Sequence, residues 1–117
     1  MKTLLRTLLV GMVLVLVSET VSAVNVRGSR SCGLWVEQRD KEKRGDFILA
    51  LASQSWLVGY LSGLTLGFNK EFWGEPNVNL LDNNSVYLWM DNYCRANPLK
   101  GIDDGADILF RERTRGK

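Results

Sequence analysis

The sequence predicts an all-α fold: a small bundle of about four helices around one core, with one disulfide. Three observations carry this. No run alternates apolar and polar residues as a half-buried strand does. Val86, Trp89, Met90 and Tyr93 fall at i, i+3, i+4 and i+7, the stripe of an amphipathic helix. Cap and stop residues, among them Ser31, Gly45 and Asn97-Pro98, cut the remaining chain into helix-length pieces.

The first stretch stands apart. "MKTLLRTLLVGMVLVLVSETVSA" has Lys2 and Arg6 at its start, an apolar run from Leu8 to Val17, and small residues at Ser22 and Ala23. That order predicts a secretory signal, 1–23, cleaved after Ala23. The apolar run is short for a span, which needs roughly 20 residues. A single helical domain, 24–117, remains. Losing Lys2, Arg6 and Glu19 takes the formal charge from +2 to +1. So weak a field gathers neither nucleic acid nor an anionic bilayer.

Cys32 and Cys94 are the two cysteines of the chain. In an oxidising compartment they allow one intramolecular bridge. The loop it closes is long, worth about 4 kcal/mol in loop-closure entropy. The alternatives are a metal pair or a reactive thiol. With no histidine in the chain, two cysteines make a poor zinc site.

The elements follow in order. Val24 to Arg30 reads as a loose polar leader. Ser31 caps a first helix, and Glu37–Lys41 and Asp40–Arg44 support its solvated face at i,i+4. Gly45 stops it and Asp46 caps a second helix, 46–68. Asn69 to Asn84 is an irregular loop. A third helix, capped by Asn84 or Ser85, carries the Val86–Tyr93 stripe. Asn97 then caps a fourth helix with Pro98 in its first position. Leu99, Ile102, Ala106, Ile108, Leu109 and Phe110 supply its apolar side, and Gly101 and Gly105 weaken it. The basic end, "FRERTRGK", reads as a frayed tail.

The run 47–68 has 22 residues without a charge, enough to span a membrane. After an export signal, a span would place its C-terminal side in the cytoplasm, where positive charge belongs. Instead Arg39, Lys41, Lys43 and Arg44 precede the run, while Lys70, Glu71 and Glu75 follow it. A span would also put Cys32 and Cys94 on opposite sides of the membrane. The run is therefore read as a buried core helix. Ser55, Gly59, Gly63 and Gly67 line one stripe of it. Interior glycine costs roughly 1 kcal/mol against alanine, so the stripe predicts a close backbone approach, within the fold or at a homodimer seam.

Nothing predicts catalysis. No histidine supplies a base or ligand, and no glycine-rich phosphate loop occurs. Carboxylate pairs such as Asp103–Asp104 and Asp82 with Asp91 read as surface or helix-start charges. No enzyme activity, cofactor or metal is expected. Phe72 and Trp73, in the loop "EFWGEPN", are either anchors for a protein partner or a lid folded over the core.

"CGLWVEQR", "SWLVGYLSG" and "WMDNYCRANPLKGIDDGADILF" together resemble the small exported helical proteins related to HdeA. They are closer still to the Tai-type immunity proteins that protect bacteria from type VI secretion amidase effectors. The resemblance covers about Cys32 to Phe110. It implies an HdeA-like fold with Cys32, Gly59, Gly63, Cys94 and Pro98 as scaffold positions, and it assigns no contact residue. The implied function is a periplasmic protein-binding protein, most sharply an immunity protein that blocks a cell-wall amidase. The alternative is an HdeA-like acid-stress chaperone that coats unfolding clients. An inner-membrane protein spanning at 47–68 is the further alternative.

Overall fold

In a computed structural model the described residues form four helices: α1 (Cys32–Lys43), α2 (Ile48–Phe68), α3 (Asn83–Ala96) and α4 (Ile102–Arg113). The structure describes residues 25–74 and 81–117. The expected signal peptide, 1–23, and positions 75–80 of the expected loop 69–84 lie outside the described residues. No named strand occurs among the described residues, and one isolated bridge joins Ser31 to Gly101.

Local chemistry sets the helix ends. The Ser31 side chain accepts from the Leu34 N–H at 3.2 Å and caps α1. Gly45, at φ +96°, breaks the chain between α1 and α2. The expected cap at Asp46 does not form: Phe47 holds the cap position and gives no side-chain bond. α3 begins earlier than its sequence signal. Asp82, not Asn84 or Ser85, is its cap, accepting from the Ser85 N–H at 2.7 Å and the Ser85 hydroxyl at 3.1 Å. Asn97 closes α3 instead of opening α4, its Nδ2 donating to the Tyr93 carbonyl at 2.9 Å. α4 starts at Ile102, where the Asp104 carboxylate accepts from the Gly101 N–H at 2.9 Å. Leu99 thus stays outside the helix, 98% exposed.

α1 lies antiparallel to both neighbours. Cys32 pairs with Cys94, and Trp35 with Asp91 farther back along α3; Gln38 and Glu42 meet Ser53 and Gln54 near the start of α2. The core is Trp35, Leu57, Leu61, Phe72, Val86, Met90, Ile102, Leu109 and Phe110, closed by the Cys32–Cys94 disulfide. Gly105 is the glycine that permits close packing. A Cβ there would sit 2.7 Å from the Tyr93 ring and 2.8 Å from the Met90 sulfur. So Gly105 lets α4 settle on α3, although its sequence position reads only as a weak point.

Both termini of the domain are docked, contrary to their loose reading. The Trp56 indole donates to the Arg27 carbonyl at 2.9 Å, and the Ile102 N–H to the Arg30 carbonyl at 2.9 Å. Gly28, at φ +83°, lies against the Trp56 ring where a Cβ would be 2.7 Å from Nε1. At the other end Arg113 Nε donates to the Phe72 carbonyl at 2.9 Å, and the buried Thr114 hydroxyl to Phe110 O at 2.7 Å.

Candidate interaction surface

α2 is apolar on nearly every side, and a helix of that kind is usually surrounded. Here one face is covered. Ala50, Ser53, Gln54, Leu57 and Leu61 turn inward against α1 and the core. Two inward residues are polar and fix the rotation of the helix. The Ser53 hydroxyl donates to Gln38 Oε1 at 2.5 Å, and Gln54 Nε2 donates to Glu42 Oε2 at 2.9 Å. Both are buried, so leaving either unpaired would cost about 1–3 kcal/mol.

The opposite face is open. Ile48 is 72% exposed, Leu51 55% and Leu66 83%. Between them run Ala52, Ser55, Gly59, Gly63 and Gly67, all exposed. A Cβ at Gly59, Gly63 or Gly67 meets nothing within 4 Å. Among the described residues the glycine ladder therefore packs against no other helix; the helix-on-helix approach there is made at Gly105. The ladder instead leaves an open stripe of small residues down the outer side of α2, with Ile48 and Leu51 exposed at one end and Leu66 near the other. α2 is long and apolar enough to cross a membrane by length and composition, with 28% of its most apolar window buried.

Phe72 and Trp73 are not the exposed anchors of one sequence reading. Phe72 is fully buried, edge-on to Trp73 at 4.8 Å and stacked near Phe110 at 6.1 Å. The Arg113 guanidinium sits over its ring at 5.3 Å. Trp73 is half-buried against the core. The pair is the lid of the other reading. A loop of this length leaves the Phe110 end of the core uncovered unless its aromatic residues fold back.

A polar network behind α2 is illegible in the sequence. Asp91 is buried, not a surface charge. It accepts from Trp35 Nε1 at 2.8 Å and from Arg39 Nε and Nη2 at 2.9 and 3.0 Å. Arg39 Nη1 also reaches Glu42 Oε2 at 2.5 Å. The Asp91 carboxylate beside Arg39 raises the guanidinium pKa further above its usual value, against the opposing effect of burial. Glu42 thus links α2, through Gln54, to the α1–α3 ion pair. No buried side-chain nitrogen or oxygen among the described residues lacks a hydrogen-bond partner, so the network is a satisfied polar link between α1, α2 and α3. Asp82, the other member of the sequence pair, caps α3 and does not meet Asp91. On the surface, Glu37–Lys41 pairs at 2.9 Å as expected, while Asp40 approaches Lys43 at 3.9 Å rather than Arg44.

A second concavity of about 720 Å³ lies between the C-terminal half of α2 and α4. Tyr60, Leu64, Phe68 and Phe110 line its apolar part. The Tyr60 hydroxyl donates to Asp107 Oδ1 at 2.8 Å. Burial, then that bond, pushes the phenol pKa well above its usual value. No cluster of three or more metal-ligating side chains occurs among the described residues. The disulfide is compatible with an oxidising, exported location. Compared with protein-family models, with curated proteins and with solved structures, the chain matches none.

Proposed function

We propose that this is a small exported, periplasmic protein-binding protein whose docking surface is the outer face of α2. The observation that carries the reading is the exposure of three aliphatic side chains, Ile48, Leu51 and Leu66, on the same face as a stripe of exposed small residues. Large exposed apolar patches mark interaction sites, and a stripe of small residues admits a partner helix at close range. The immunity protein is the sharpest form: a rigid domain, pinned by a long-range disulfide, that covers the catalytic face of a cell-wall amidase. The family resemblance of Cys32 to Phe110 points the same way.

The same apolar face favours a second reading, an acid-stress chaperone that receives unfolding clients. The membrane-span reading is less well supported. Ser53 and Gln54 bond to Gln38 and Glu42, and Tyr60 bonds to Asp107. A bilayer around α2 would have to displace α1 and α4 or take in their charges.

Affinity capture from periplasm, with the wild-type chain beside Gly63→Leu, tests the binding reading. The wild type should recover a stoichiometric partner that the variant does not; equal recovery, or none, would sink it. Suppression of a client's aggregation at about pH 2–3 would move the account to the chaperone.

A further inference from the structure

We propose that the concavity between α2 and α4 is a binding groove for a short linear peptide with free termini, amine toward Asp103 and Asp107, carboxylate toward Arg111 and Arg115. The proposal is independent of the α2 outer face, which lies on a different stripe of that helix. Its first support is the order of charge. Asp103, Asp107, Arg111 and Arg115 all line the groove at four-residue intervals. Acid, acid, base, base is a dipole laid along one wall. The helix dipole by itself favours acids early and bases late. It does not explain why both pairs border one hollow with an apolar floor.

The second support is how the charges are held. Asp103 Oδ1 accepts from the Ser29 hydroxyl at 2.6 Å and Asp107 Oδ1 from the Tyr60 hydroxyl at 2.8 Å. Each carboxylate is anchored by one oxygen, and its second oxygen takes part in no hydrogen bond among the described residues. Among the described residues the side chains of Lys70, Arg111 and Arg115 make no hydrogen bond or ion pair. Asp107 and Arg111 do not pair with each other despite their spacing. Fixed acids at one end and uncommitted cations at the other suit a ligand with the reverse polarity.

Size and chemistry narrow the class. The groove's volume is within the range of small-ligand sites, about 300–1,000 Å³. From Asp103 to the end of α4 is about 15 Å at 1.5 Å per residue, the length of four or five extended peptide residues. Nucleic acid is disfavoured by the acidic end, and a polyamine by the basic end. Leu64, Phe68 and Phe110 between the ends offer apolar contact to the peptide's middle side chains.

Isothermal titration of the whole mature chain with the peptide Ala-Leu-Leu-Ala provides the test, beside its N-acetylated and C-amidated forms. Saturable binding should occur, weakened about tenfold or more by either block, the loss of one ionic contact. Asp107→Asn keeps the acceptor for Tyr60 and should make the chain insensitive to acetylation. Arg111→Gln, on an exposed side chain, should make it insensitive to amidation. Absent binding, or equal binding of free and blocked peptides, would overturn the proposal, as would variants that lose affinity for all three forms alike.

Discussion

Gly63→Ala and Gly105→Ala should move stability in opposite directions. A Cβ at position 63 meets nothing within 4 Å. The substitution therefore keeps the packing and gains the helical preference of alanine, up to roughly 1 kcal/mol. In a domain this small that raises Tm by about 4–8 °C. At position 105 the same methyl lies 2.7 Å from Tyr93 Cδ1, 2.8 Å from Met90 Sδ and 2.9 Å from Met90 Cε. Met90 is fully buried, so its flexible end has little room to retreat. Overpacking costs about 1–3 kcal/mol. Set against the same propensity gain, the net loss is up to about 2 kcal/mol. Urea denaturation followed by circular dichroism reads both. Gly63→Ala unfolding at lower denaturant than wild type would mean a helix approaches the ladder inside the domain, and the free-face account would fail.

Three further predictions rest on single features. Asp91→Ala strands the Arg39 guanidinium and the Trp35 N–H and should cost about 3 kcal/mol; a variant within 0.5 kcal/mol of wild type would show that the network is idle. Reducing the Cys32–Cys94 disulfide, 62 residues apart in sequence, should lower stability by about 4 kcal/mol in the loop-entropy picture, measured as the denaturation midpoint with and without reductant. Tyr60, Tyr87 and Tyr93 all have pKa values raised above the ordinary value, by burial first and, at Tyr60 and Tyr93, by nearby carboxylates. Because the folded state holds these protons more tightly, their contribution is complete below the unfolded value of about 10 and is lost as pH rises beyond it. Phenolate absorbance of the native chain should lag that of the urea-unfolded chain, and coincident titrations would contradict the burial of the rings.

Much of the fold is legible because its signals are local. Ser31, Gly45 and the Val86–Tyr93 stripe act within a turn or two, and two cysteines leave one pairing. The helix starts drift where two good caps compete: Asp82 precedes Asn84 and Ser85 and takes α3, and Asn97 is used to close a helix rather than open one. What the sequence hides is which neighbour a side chain meets. Asp91 and Glu42 look like any surface acids until α3 crosses α1. A serine and three glycines at i+4 spacing look like a packing seam whether the partner is inside the chain or outside it. Gly105, the glycine through which α4 packs on α3, has only Gly101 at the same spacing and reads as a weak point in a helix. Phe72 is apolar enough to be an anchor or a lid, and the exposed end of the core at Phe110 decides for the lid.

The most direct test places a photo-crosslinking residue at Leu66, 83% exposed on the outer face of α2, and another at Leu99, 98% exposed in the connection between α3 and α4. Illumination in periplasm should give one discrete protein adduct from position 66 and none from position 99. Lipid adducts, adducts only between copies of this chain, or the same pattern from both positions would contradict a heterologous protein partner on α2.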